Sequence, residues 1–141
     1  MERLRRSTCP ISYALDLFGD RWTLLVLRDM VFGRRHYFSA FLESGEGIAT
    51  NILTDRLARL EQEDIIRKTL DPEDRRRRVY SLTDRGLDVL PVLLELIVWG
   101  ASHDPHTPVT PEFLRRVREE RDDVIRSYRS YVSSPANRSS R

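Results

Sequence analysis

Apolar residues recur three and four positions apart over most of this chain, and every second position over one short stretch. In TCPISYALDLFG, Ile11, Ala14, Leu15 and Phe18 share a face of a short helix, which Thr8 or Cys9 would cap, Pro10 would open and Gly19 would stop. DRWTLLVLRDMVFG follows as a second helix between Asp20 at its cap and Gly33 at its end. Trp22, Leu24, Leu25, Leu27, Met30 and Val31 make it apolar over most of its surface, so it belongs at the centre. YFSAFLES, residues 37–44, reads as a third short helix, and GEGI as a turn. ATNILTDRLARLEQED, residues 49–64, is a fourth helix. Its buried stripe is Ala49, Ile52, Leu53, Leu57 and Leu60, and its opposite face carries Asn51, Thr54, Asp55, Ala58 and Gln62.

The period then changes. IIRKTL (65–70) and RVYSLT (78–83) alternate and are β-branched, and the polar turn between them makes a hairpin. Alternation puts Tyr80 and Leu82 on the face packed on the domain, and Val79 and Ser81 on the other. Thr83 can cap a long helix over 84–99, in which Val89 to Trp99 leave almost no polar side. A helix apolar all round is buried all round, and so small a chain cannot cover both sides alone; a second subunit can. Residues 101–110 read as a linker rich in Pro and His, 111–133 as a last helix with the stripe Phe113, Leu114, Val117, Val124, Ile125, Tyr128 and Val132, and 134–141 as a disordered tail. The expected fold is mainly α with one small β-hairpin, a homodimer built by its N- and C-terminal helices. Val89, Leu93, Leu96, Ile97, Trp99, Phe113 and Val117 are the expected interface.

Composition narrows the class only a little. Hydrophobic residues make up 40% and charged residues 33%, as in an ordinary soluble domain, and the net charge is +2. The cations are almost all arginine, with Lys68 the one lysine, so arginine position matters and arginine abundance does not. The single cysteine, Cys9, allows no disulfide within the chain and suits a reducing cytoplasm. The opening residues read as no secretory leader, and the apolar run 89–99, broken by Pro91 and Glu95, is too short to span a bilayer. No Gly-rich phosphate loop, zinc spacing or Ser-His-Asp set is present, so neither catalysis nor a cofactor is expected. His103 and His106 flank Asp104-Pro105, too few convergent ligands for a metal.

Helix, helix, helix–turn–helix, hairpin, long helix is the winged helix-turn-helix order. CPISYALDLFGDRWTLLVLRDM, GIATNILTDRLARLE and YSLTDRGLDVLPVLLELIVWG resemble the HxlR family of bacterial transcription regulators over about residues 9–100. The turn DPEDRRRRVYSLT is denser in arginine than the usual wing of that family and looks more like the wing of the related MarR family.

The resemblance makes 49–63 the recognition helix. Thr50, Asn51, Thr54 and Asp55 then become candidates for base or phosphate contact, with Asp55 able instead to orient Arg59, a further candidate. Arg75, Arg76 and Arg77 at the wing tip are phosphate or minor-groove candidates, and Arg21 at the start of the second helix is another. Arg56 lies nearer the buried stripe, where an internal ion pair is expected. Cys9 stands at a helix N-terminus after Arg5 and Arg6, features that favour a thiolate, and some relatives sense oxidants or electrophiles with a cysteine there.

These residues imply a sequence-specific regulator, dimeric on a pseudo-palindromic stretch of double-stranded DNA, acting as a repressor and responsive to oxidants through Cys9. Two other readings stand beside it: a winged-helix module that binds protein and not DNA, and a regulator holding a small-molecule effector at its dimer interface.

Overall fold

Residues 7–133 are described by the structure, a computed structural model. Arg5, Arg6 and the expected tail 134–141 lie outside them. Helix α1 (Pro10–Phe18) opens on proline after an extended Cys9 and closes where the Gly19 N–H meets the Leu15 carbonyl at 2.7 Å. Helix α2 (Arg21–Val31) begins at Asp20, whose carboxylate accepts from the N–H groups of Trp22 (3.0 Å) and Thr23 (3.1 Å). Its Val26, Leu27, Met30 and Val31 are buried, which places it at the centre of the core.

Helix α3 (Phe38–Leu42) and helix α4 (Thr50–Gln62) form the helix-turn-helix. The turn between them passes through Gly45 at φ +89° and Gly47 at φ +74°, angles that a side chain would disfavour. Strands β1 (Ile66–Leu70) and β2 (Arg78–Leu82) pair antiparallel, from Ile66 opposite Leu82 to Leu70 opposite Arg78. At their root the Thr83 hydroxyl donates to the Asp64 carbonyl (2.6 Å) and accepts from the Gly86 N–H (3.0 Å). Gly86 is obligatory here, since a Cβ on it would stand 2.1 Å from the Ile65 carbonyl oxygen.

The C-terminal half departs from expectation. The helix read over 84–99 breaks at Asp88–Val89 into α5 (Asp84–Leu87) and α6 (Leu90–His103), so the linker shortens to 104–110. The stretch 111–133 is two helices, α7 (Pro111–Glu119) and α8 (Arg121–Ser133), divided at Glu120 where φ is −123° and ψ 37°. Both fold back on the core: Val117 and Val124 are buried in it, and Phe32 meets Tyr128 edge-to-face at 5.0 Å. Burial by their own chain takes Val89, Leu93 and Val117 out of the expected subunit interface, and Phe113 packs against the same core.

Helix α6 is thus two-sided. Leu90, Leu93 and Leu94 are interior, whereas Val92, Leu96 and Trp99 are 46%, 51% and 69% exposed. Ile97 is half-buried against the core. Ile11 and Leu15 of α1 are exposed as well. Taken together across the break, α5 and α6 span 20 residues, Asp84–His103, and an 18-residue window of them has mean hydropathy 1.3, long and apolar enough to cross a membrane by length and composition, which the shorter run 89–99 did not suggest. A third of that window is buried inside the protein.

The hairpin differs in one respect. Val79 is buried, not outward, because residues before α3 run along β2: the Tyr80 N–H donates to the His36 carbonyl (2.8 Å) and His36 Nδ1 donates to the Tyr80 carbonyl (3.0 Å). Tyr80 and Leu82 pack on the core as expected, Tyr80 edge-on to Phe41 at 6.1 Å.

Candidate nucleic-acid interface

Helix α4 buries Leu53, Leu57 and Leu60 and exposes Thr50, Asn51, Thr54 and Asp55, the four outward positions expected. Ala49, expected in the buried stripe, is exposed at the helix cap and gives the first turn no side-chain acceptor. The first N–H groups of α4 are therefore open to an anion, aided by the helix dipole. Thr54 donates back to the Thr50 carbonyl (2.9 Å), which fixes its hydroxyl and turns its methyl away from that carbonyl.

The arginines of α4 do not join this face. Arg56 donates to Asp20 (2.8 Å) and pairs with Asp55, the internal ion pair expected of it. Arg59 was expected at DNA beside Asp55; instead it is half-buried and donates to the Asp16 carbonyl, bracing α1. Its stem leaves α4 on the side of the buried stripe, where the Asp16 carbonyl near the end of α1 offers an acceptor. At Asp20, burial raises the carboxyl pKa, but bonds from the Thr23 hydroxyl, Arg56 and the Trp22 N–H outweigh it and bring it down to about 2.

The helix-turn-helix turn is anchored from α2. Glu46, between the two turn glycines, accepts from Arg28 at 2.7 Å, and that bond holds its carboxyl below the usual range. Arg28 also donates to Asp29 (3.0 Å), whose own pKa burial pushes up. Arg21 reaches Glu46 only at 3.5 Å and keeps most of its side chain in solvent, where an added anion can compete.

The wing is held by a residue the sequence reading passed over. Tyr37, just before α3, donates its hydroxyl to Asp71 (2.9 Å) and presents its ring 3.7 Å beneath the Arg77 guanidinium. Asp71 also accepts from the Glu73 N–H (2.9 Å); that bond and the Tyr37 hydroxyl hold its carboxyl below the usual range. So Arg77, expected to reach outward, is partly covered by stacking on Tyr37. Arg75 and Arg76 are exposed; Arg76 is 92% exposed and pairs with Asp74 at 3.2 Å. The clue in the sequence is an aromatic residue at the entrance to α3, but its partners lie more than thirty residues on.

Cys9 is an exposed free thiol at the cap of α1, its N–H bonded to the Ser7 hydroxyl (3.2 Å). His103 lies against Trp99 with ring centroids 4.7 Å apart, and His106 belongs to a turn closed by Asp104.

The pattern of the HxlR-like helix-turn-helix family matches residues 17–108. The chain belongs to that family. As an HxlR-type protein it is a winged-helix, DNA-binding transcription regulator, as its residues implied. It is 40% identical over 94 residues to the uncharacterised HTH-type transcriptional regulator sll1512 of Synechocystis, covering 67% of this chain and 69% of that one. It is 33% identical over 105 residues to the regulator Mb3122 of Mycobacterium bovis; the match covers 74% of this chain and 65% of that longer protein. Among solved structures, the transcription factor PA1607 superposes with a TM-score of 0.67 at 30% identity, over 75% of this chain and 74% of that one. The redox regulator HypR in its oxidised form superposes with a TM-score of 0.61 at 26% identity, over 68% and 98%. The HxlR-like match ends before α7, so α7 and α8 lie outside the matched residues.

Proposed function

We propose that the protein acts in the cytoplasm as a homodimeric repressor, reading a pseudo-palindromic site and releasing it when Cys9 is oxidised or alkylated. The observation that carries the DNA reading is the pairing of an uncapped, polar α4 with a wing that carries the exposed Arg75 and Arg76 and is tied at Asp71 and Arg77, through Tyr37, to the same helix-turn-helix. Thr50, Asn51, Thr54 and Asp55 enter the major groove: Asn51 can pair bidentately with adenine, the Thr54 methyl can touch thymine, and Asp55 can accept from cytosine. Arg75, Arg76 and Arg21 lie on phosphates and set register and affinity, not sequence.

The homodimer rests on the exposed stripe Val92, Leu96 and Trp99, spaced i, i+4, i+7 on α6, together with Ile11 and Leu15 of α1. Of the interface residues expected from sequence, Leu96, Ile97 and Trp99 remain. A symmetric pair then sets its two α4 helices about 34 Å apart, one turn of DNA. Rotation of the subunits changes that spacing and releases the site.

The redox part rests on exposure of the Cys9 thiol and on the likeness to HypR. Because the chain has no second cysteine, an oxidised Cys9 bonds either the partner's Cys9 or a small thiol; a quinone alkylates it instead.

A gel shift on duplex from beside the protein's own gene, at fixed salt, tests the reading. The protein shifts this fragment at concentrations that leave random duplex free, and diamide abolishes the shift. Cys9→Ser shifts equally well and ignores diamide. No preference over random duplex refutes the DNA reading, and release of the Cys9→Ser protein by diamide refutes the sensor.

A further inference from the structure

Helices α7 and α8 line, with the end of α2, a partly open cavity of about 350 Å³. Phe32, Phe113, Tyr128 and Tyr131 supply aromatic walls, and Arg34 and Arg116 the charge; among the described residues no acidic side chain lines it. Its size lies at the low end for small-molecule sites, enough for one ring with a substituent. The two guanidiniums have charge to spare. Arg34 has no acidic partner among the described residues and rests 4.4 Å over the Tyr131 ring. Among the described residues Arg116 has Glu120 alone as an acidic partner, at 3.8 Å, and Glu120 stands closer to Arg115, at 3.2 Å. Burial raises the pKa of the Tyr128 hydroxyl against the pull of Arg116 and Arg34, so both cations act on a ring of the cavity.

Arg34 is also held in an unfavourable backbone conformation, φ +54°, for a residue with a Cβ. It begins a strap into the DNA-reading parts. Arg35 donates to the Ala40 carbonyl of α3 (2.7 Å), His36 accepts from β2, and Tyr37 carries Arg77 of the wing. What moves Arg34 pulls on three consecutive residues that position α3 and the wing.

We propose that this cavity binds a small aromatic anion, its ring among Phe32, Phe113 and Tyr128 and its carboxylate or phenolate between Arg34 and Arg116, and that occupation alters DNA affinity through residues 34–37. The second clause rests on the regulator reading above; the first does not.

Calorimetric titration of the full chain with benzoate and with its neutral analogue benzamide tests the site. Benzoate binds, and benzamide binds at least about tenfold more weakly, since only the anion makes charge-assisted bonds to both arginines. Arg34→Gly and Arg116→Gln each weaken benzoate about tenfold. Arg34→Gly keeps or raises the melting temperature, because glycine accepts positive φ. No heat with benzoate up to about 20 mM, equal affinity for the two probes, or unchanged affinity in both variants overturns the site. Fluorescence anisotropy on the own-gene duplex separates the second clause. Saturating benzoate changes wild-type affinity at least about threefold and leaves Arg34→Gly unmoved. An unchanged wild-type affinity overturns the coupling alone. Benzoate binding without any preference for that duplex over random DNA overturns the regulator reading and leaves the site standing.

Discussion

Asp20 joins two elements that must stay in register: it caps α2 and holds Arg56 of the recognition helix at 2.8 Å. Asp20→Ala removes the cap bonds from Trp22 and Thr23 together with the bond from Arg56. Loss of an N-cap costs about 1 kcal/mol, and a guanidinium left with 22% of its side chain exposed and no Asp20 costs about 1–2 kcal/mol more. The sum, about 2–3 kcal/mol, lowers Tm by about 6–12 °C for a chain of this size. Asp20→Asn keeps an oxygen for the cap and loses the charge, so it costs about 1 kcal/mol. The two separate with pH. The Asp20 carboxyl lies at about 2 in the folded protein against 3.8 ordinarily. A depressed carboxyl stabilises the fold fully above about pH 4 and loses that contribution as pH falls through the folded value. With the carboxylate 23% exposed, solvent screening leaves about 1–2 kcal/mol in play. Urea unfolding at fixed protein concentration, at pH 7 and in steps from pH 4 to 2.5, measures this. The gap between wild type and Asp20→Asn closes as pH falls, while Asp20→Ala stays less stable, because a protonated acid still offers an oxygen to the cap. A gap of constant width, or an alanine variant within about 0.5 kcal/mol of wild type at pH 7, refutes the assigned role.

Further outcomes follow from the same geometry. Arg76→Ala weakens binding to specific and random duplexes alike and reduces the slope of log affinity against log salt by about 1, read by anisotropy at several salt concentrations. Leu96→Glu places a charge in the exposed α6 stripe while its own core is untouched, and sedimentation equilibrium shows single subunits with unchanged circular dichroism. Tyr37→Phe loses the bond to Asp71 but keeps the ring under Arg77, whereas Tyr37→Ala loses both; DNA affinity falls in that order, the alanine by about tenfold, with little change in sequence preference. Gly86→Ala drives a methyl into the Ile65 carbonyl and costs about 3 kcal/mol or more, seen as a fall in Tm.

The elements set by local chemistry were readable in the residues. Asp20 and Thr83 cap where they should, Pro10 opens α1, and the outward face of α4 is the one its spacing implied. What escaped depends on contacts across the chain. Nothing local marks Glu120 as a break, since the apolar spacing runs on through it; the turn arises because Val117 and Val124 both reach the same core. Val79 is buried by a segment more than forty residues earlier, Arg77 is drawn back by Tyr37, and Arg59 finds a carbonyl on α1. Long arginine side chains can reach in several directions, and only the fold decides which acceptor is nearest.

Helix α6 presents Leu90, Leu93 and Leu94 inward and Val92, Leu96 and Trp99 outward on one rigid rod. In a dimer joined along that rod, the hydrophobic interior and the seam between copies are opposite sides of one object. A bulkier interior residue that tips the rod by a few degrees also tilts the far copy, and the lever arm magnifies that tilt at the DNA. In such a dimer, substitutions far from any base would retune which half-site separations are accepted, a route to new operators that leaves α4 intact.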